Sequence, residues 1–182
     1  PLTSPHLHHH SNRYEPAPPP PSAIGPVREQ VPYSWQRSTN RSDRRPVLIF
    51  AQYSDESSNS IRTDVLALLK IYRRHFYVVV VAATPSLLQH HRSLSDLQRV
   101  SDAVIIRRNE GYDYGSWMTG LRAFRDLIIE RGQLLLSNDS FWGPVRPINQ
   151  LLERLKRSTA DVVGLTDNLM YEPHLQSPFL LF

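Results

Sequence analysis

Three stretches of this chain combine residue types that do chemistry when a fold holds them in loops. The first is Arg107-Arg108-Asn109-Glu110-Gly111-Tyr112-Asp113-Tyr114-Gly115-Ser116-Trp117. Gly111 and Gly115 permit positive φ and close backbone approach. Asp113 or Ser116 can cap a following helix, whose N-terminus offers free N–H groups to an anion. The stretch reads either as a nucleotide or phosphate loop or as an ordinary capped strand-to-helix turn. It is not a P-loop, because no Gly-Lys-Ser/Thr follows, and its glycine spacing is not that of the dinucleotide fingerprint.

The second stretch is Ser137-Asn138-Asp139-Ser140, after Leu134-Leu135-Leu136 and before Phe141-Trp142-Gly143-Pro144. A carboxylate just past a strand can ligate a divalent cation, Mg²⁺ or Mn²⁺, that bridges two phosphates. Mg²⁺ commonly takes one or two protein carboxylates and fills its sphere with phosphate oxygens and water. Ser137, Asn138 and Ser140 would add neutral oxygens. The same four residues also suit a capping turn. The third stretch holds Asp167, in Gly164-Leu165-Thr166-Asp167-Asn168, and His174, in Tyr171-Glu172-Pro173-His174-Leu175-Gln176-Ser177-Pro178-Phe179. His174 could be a base, a phosphate donor or a packed core residue. Neither a Gly-x-Ser-x-Gly elbow nor a His-Glu-x-x-His helix is present, which argues against serine hydrolase and zincin chemistry.

These stretches need elements to position them, and the hydrophobic pattern supplies them. Apolar runs at 47–51, 76–83, 103–106, 134–136 and 162–165 predict strands. Between them, 61–74, 86–99, 116–130 and 147–157 carry apolar residues at helical spacing, and Arg73-Arg74 suits a helix C-terminus. Continuously apolar strands alternating with helices predict an α/β fold, a mostly parallel sheet with helices on both faces. Ligands of such sheets sit beyond the carboxyl ends of the strands. Gln52-Tyr53-Ser54-Asp55, which follows the first strand, therefore joins the three stretches as a candidate.

Residues 1–45 differ from the rest. They hold nine of the fifteen prolines, six arginines against three acidic residues, and no apolar period. We expect a disordered or polyproline-like tail over 1–45, with His6, His8, His9 and His10 as no more than an adventitious metal site. The domain is expected over 46–182, and the stop inside the apolar run Phe179–Phe182 reads as a fragment. The chain has 182 residues and a formal charge of +4. Only +1 falls outside the tail, so no basic face for nucleic acid is expected on the domain. Arg146, Arg154 and Arg157 read as a solvated helix face. The absence of cysteine excludes disulfides and zinc–thiolate sites. The run Phe76–Ala83 is far shorter than the roughly 20 residues needed to span a bilayer.

Taken in order, Asn109–Trp117, Leu136–Ser140 with Gly143-Pro144, and Gly164–Asn168 with His174–Ser177 resemble the rhamnan synthesis protein F family. Phe50-Ala51-Gln52-Tyr53-Ser54 also fits that family's first strand, and the resemblance covers 46–182. It implies a Rossmann-like glycosyltransferase fold of the GT-A type, truncated at its C-terminus. It also implies a role in assembling cell-surface polysaccharide or lipopolysaccharide, in the cytoplasm or at the inner face of the plasma membrane. Many such enzymes carry Asp-x-Asp after the fourth strand. Here the equivalent triplet is Ser137-Asn138-Asp139, which keeps only the last carboxylate.

The expected partners are a nucleoside-diphosphate sugar donor and a glycan or lipid-linked glycan acceptor, with peripheral membrane association. On this reading Ala51, Gln52 and Tyr53 lie near base and ribose, Asn109, Gly111 and Asp113 near the nucleoside, and Asp139 with Asn138 and Ser140 at the diphosphate and its cation. Asp167 and His174 are the candidates for the acceptor's base. Two other readings stay open: another nucleotide-binding enzyme such as a nucleotidyltransferase, with Arg107 and Arg108 on the leaving phosphates, and a non-catalytic module binding saccharide through Tyr112, Tyr114, Trp117 and Trp142.

Overall fold

A computed structural model describes residues 33–37, 42–55, 60–140, 143, 147–168, 174–176 and 178–182. In chain order the elements are β1 (Tyr33–Gln36), β2 (Val47–Gln52), α1 (Thr63–Tyr72), β3 (Tyr77–Ala82), a short 3-10 helix (Pro85–Gln89), α2 (His91–Val100) and β4 (Ala103–Ile106). They continue with α3 (Tyr112–Ala123), α4 (Arg125–Arg131), β5 (Leu134–Asn138), α5 (Ile148–Lys156), β6 (Val163–Gly164), β7 (Asp167–Asn168), β8 (His174–Leu175) and β9 (Phe179–Leu181).

Every residue of β2, β3 and β4 is buried, and β-branched side chains dominate β3. A strand covered on both faces has this composition. The result is a mixed α/β sheet of seven strands in the order β1-β4-β3-β2-β5-β9-β6. The pairs β4–β3, β3–β2 and β2–β5 are parallel, whereas β1 and β9 pair antiparallel to their neighbours. The parallel centre confirms the expected α/β class, and the antiparallel strands flank it.

Alternation along the strands divides the core. Leu48, Phe50, Val78 and Val80 face the layer of α1, α2 and α5, while Ile49, Ala51, Val79 and Val81 face α3 and α4. Each fully buried aliphatic side chain contributes roughly 1.5–3 kcal/mol. The contact between α3 and β2 is close, because a Cβ on Gly120 would stand 2.6 Å from Ile49 Cγ2.

The order β4-β3-β2-β5 places the site. The chain steps from β2 to β3 to β4 in one direction, then crosses back to lay β5 on the other side of β2. The crossovers diverge between β2 and β5, and it is at the carboxyl ends of strands at such a switch point that ligands of open α/β sheets bind.

Several sequence expectations need correction. The segment 1–45 contributes a strand, Tyr33–Gln36, which pairs with β4 at the sheet edge. The helix expected over 116–130 begins at Tyr112 and breaks at Phe124, where φ is −117°. That over 86–99 breaks at His90 into a 3-10 turn and α2. The fourth strand extends through Asn138, so Ser137 and Asn138 are buried strand residues rather than loop. The fifth, expected over 162–165, is only Val163–Gly164, and β9 lies between it and β5. The tail histidines, Phe141, Trp142, Pro144 and Arg146 lie outside the described residues.

Candidate functional site

A hydrogen bond from a backbone N–H links the tips of β2 and β5. The backbone N–H of Tyr53, one residue past β2, donates to Asp139 Oδ2, one residue past β5, at 2.9 Å. Asp139 is thereby held across the switch point of the sheet. Burial raises its carboxyl above the ordinary range, and the nearby Asp113 carboxylate pushes the same way. The Tyr53 N–H and the Arg62 guanidinium oppose the shift.

A second tie joins the tip of β5 to α3. Asn138, 2% exposed, donates from Nδ2 to Asp113 Oδ2 at 2.7 Å and accepts at Oδ1 from the N–H of Ser140 at 3.2 Å. Trp117 on α3 donates from Nε1 to the Ser137 carbonyl at 2.9 Å. Ser137 Oγ donates to the Pro178 carbonyl at 2.9 Å, tying the strand tip to the approach of β9. The rim is thus fixed from three sides: by β2, by α3 and by the segment entering β9.

The turn from β4 into α3 is shaped by backbone rather than by a side-chain cap. Gly111 occupies the N-cap with φ of 72°, and no side chain caps the helix, neither Asp113 nor Ser116. Tyr112 follows with φ of 52°, a left-handed conformation that few non-glycine residues adopt. A Cβ on Gly115 would stand 2.0 Å from the Glu110 carbonyl oxygen, so glycine is required there. Beneath the turn lies Arg107, 2% exposed, whose guanidinium donates to the Glu110 carbonyl at 2.6 Å and to Ser116 Oγ at 3.4 Å. Arg107 holds the loop up from inside and is not placed to clamp a leaving phosphate.

At the tip of β2, Gln52 Nε2 donates to Ser54 Oγ at 2.7 Å. Gln52 Oε1 is buried and has no hydrogen-bond partner among the described residues. The N–H of Ser54 donates to Thr84 Oγ1 at 2.9 Å, which joins this tip to that of β3. Tyr53, Tyr112 and Tyr114 are exposed around the rim, whereas Trp117 is buried and cannot stack on a ligand.

The candidates therefore separate. Tyr53 is bonded to Asp139, and Asn138 to Asp113 and Ser140, at adjoining positions at the tip of β5, whereas Gln52 bonds to Ser54 at the tip of β2, with Ala51 preceding it in the strand. Asn109 is exposed on the turn after β4, two strands from β2. Asp167 is exposed on β7, which pairs only with β8: Asp167 opposes Leu175, and Asn168 opposes His174. Among the described residues no hydrogen bond or ion pair joins Asp167 to Asp113 or Asp139. Sequence reasoning missed Arg62. Its Nη1 donates to the Asp139 carbonyl at 3.3 Å, and its Nη2 pairs with Asp64 at 2.6 Å. Its signal was position, since the residue just before the helix that follows β2 must lie on the same rim.

Among the described residues no three His, Cys, Asp or Glu side chains cluster as a metal cage. Asp139 and the neighbouring Asp113 are the carboxylates at this rim that could hold a cation, which would need its remaining ligands from a bound diphosphate and water.

Residues 78–182 match the family described as rhamnan synthesis protein F. The uncharacterized protein y4gN of Sinorhizobium fredii (strain NBRC 101917 / NGR234) is 33% identical over 108 residues, 57% of this chain and 28% of that protein. Virulence protein VirA of Vibrio anguillarum (strain ATCC 68554 / 775) is 34% identical over 106 residues, 56% of this chain and 31% of that protein. The matched segment spans less than a third of either relative's length. No solved structure matches. Among the described residues no helix is long and apolar enough to cross a membrane.

Proposed function

The chain belongs to the rhamnan synthesis protein F family, and from that premise we propose that it is the donor-binding part of a glycosyltransferase. It moves a sugar, rhamnose being the one the family's name points to, from a nucleoside diphosphate onto a growing cell-surface polysaccharide or lipopolysaccharide. One observation carries this reading: Asp139 bridges to the Tyr53 N–H across the sheet's switch point while Asn138 draws Asp113 alongside. Two neighbouring carboxylates at such a switch point suit a diphosphate held through a cation.

In the transfer an acceptor hydroxyl oxygen attacks the anomeric carbon, and the bond from that carbon to the terminal phosphate oxygen breaks. The nucleoside diphosphate leaves with the bonding electrons, and the acceptor's proton passes to a base. The charge growing on the diphosphate must be neutralised by fixed groups at the site. Asp139 with Asp113 would hold Mg²⁺ or Mn²⁺, which would supply positive charge there. Arg62 stands beside Asp139 as a cation of the chain itself. Tyr53, half exposed at the tip of β2, is the surface against which a base or ribose rests. Asp167 and His174 remain the candidates for the base.

Calorimetry tests the reading. The chain is expected to bind UDP or dTDP in the presence of Mg²⁺ or Mn²⁺, and Asp139→Ala to weaken that binding at least tenfold. Absence of binding to either nucleotide, with and without EDTA, would overturn the transferase reading. Equal affinity in EDTA would remove only the cation.

A further inference from the structure

At the opposite edge of the sheet, where the parallel strands begin, a cleft of ≈ 530 Å³ is lined by Arg45, Lys70, Arg73, Arg74, Arg99 and Val100. Its members come from three separate approaches: Arg45 leads into β2, Lys70 to Arg74 into β3, and Arg99 into β4. Counting charge along the sequence gave no sign of a basic surface, because the convergence is made by the fold.

Part of this charge is structural. Asp102, nearly buried, pairs with Arg73 at 3.1 Å and Arg45 at 3.3 Å, and it accepts the N–H of Val78 at 3.0 Å. Asp43 pairs with Arg45 at 2.6 Å, and Asp96 pairs with Arg99. Arg45 and Arg73 also cover carbonyls at the ends of α1 and α2. These contacts neutralise the negative helix C-termini, which would otherwise repel an anion. They leave five cations against three carboxylates around one concavity. Lys70 and Arg74, both exposed and about one helical turn apart, have no ion pair among the described residues.

Two uncommitted cations at the mouth of a cleft whose inner arginines are held by carboxylates form an anion receptor. We propose that this cleft binds a phosphate group, with Lys70 and Arg74 as its contacts and Arg45 and Arg73 as its fixed floor. A nucleic acid would need basic charge extended along a face, and here it is gathered at one point. The phosphate could belong to an anionic lipid headgroup or be free in solution. A headgroup would set this edge of the sheet against a membrane and leave the rim between β2 and β5 facing away from it. The inference does not depend on the transferase reading.

The test uses the full chain. Sedimentation with phosphatidylcholine vesicles, with and without phosphatidylglycerol, is run beside calorimetry with inorganic phosphate in EDTA. Wild type is expected to bind at least one of the anionic probes. Removing a basic contact at an anionic surface weakens binding by roughly fivefold, so Lys70→Ala with Arg74→Ala should lose roughly 25-fold. The double variant should retain its melting temperature and its nucleotide binding, both sites being exposed and remote from Asp139. Binding to phosphatidylglycerol vesicles that free phosphate fails to displace assigns the site to a headgroup. Binding of free phosphate, with or without vesicles, assigns it to a soluble ion. Failure of wild type to bind either probe, or equal binding by the double variant, overturns the proposal whatever the nucleotide result.

Discussion

If α3 truly positions the tip of β5, the bond between Asn138 and Asp113 must couple the two residues energetically. It is short, 2.7 Å from Nδ2 to Oδ2, it ends on a carboxylate, and Asn138 is buried. Hydrogen bonds to charged groups contribute about 1.5–3 kcal/mol. Asp113 is only partly buried, so solvent screening places this one near the lower end, about 1.5 kcal/mol. Asn138→Ala also removes the acceptor of the Ser140 N–H, a longer bond at 3.2 Å, for about 0.5–1 kcal/mol more. The single variant should therefore lose about 2–2.5 kcal/mol, or roughly 4–10 °C in melting temperature for a chain of this size. Urea denaturation of wild type, Asn138→Ala, Asp113→Ala and the double variant closes a thermodynamic cycle. A coupling energy of about 1.5 kcal/mol is expected, and one within about 0.5 kcal/mol of zero would refute the idea that this bond fixes the rim.

Gly115→Ala should cost at least about 2 kcal/mol, because its methyl would meet the Glu110 carbonyl, itself pinned by Arg107; urea denaturation checks this, and a loss below about 0.5 kcal/mol would contradict it. Asp139→Asn should stabilise the chain at neutral pH while weakening nucleotide binding. The wild-type carboxyl is raised in the folded state, chiefly by burial, so its ionised form opposes folding above that raised value. As pH falls through the raised value toward 3.8, the native state takes up the proton first and the opposition disappears. The gain of the variant in melting temperature should accordingly be largest at neutral pH and shrink in acid, and a gain that grows in acid would contradict the burial argument.

Much of this fold was readable because its signals are local. The apolar runs at Val47, Phe76 and Ala103 can be little other than strands buried on both faces, and β2, β3 and β4 lie there. Boundaries set by backbone conformation were not readable. Nothing in the periodicity of α3 shows that Gly111 and Tyr112 turn left-handed and start the helix four residues early. Nor does a two-residue strand such as Val163–Gly164 declare its neighbour, since β9 inserts by register chosen over a distance. The candidate site was legible in residue types: Asp113 and Asp139 stand in polar stretches after strands, and Asn138 is the polar last residue of β5. Their connections were not, because the bond from Asn138 to Asp113 spans 25 positions and that from Tyr53 to Asp139 spans 86. Trp117 suits the apolar face of its helix and not the saccharide contact that the non-catalytic reading gives it. An aromatic in a polar stretch suggests a stacking surface, but its place in α3 turns it inward to the Ser137 carbonyl.

The central claim is that a nucleoside diphosphate binds where β2 and β5 diverge. Amide-resolved NMR of the chain, titrated with UDP or dTDP in Mg²⁺, asks this directly. The account predicts that the largest shifts fall on Tyr53, Asp113 and the run from Asn138 to Ser140, with Lys70 and Arg74 unmoved. Saturable shifts confined to the Lys70–Arg74 edge, or none anywhere, would contradict it.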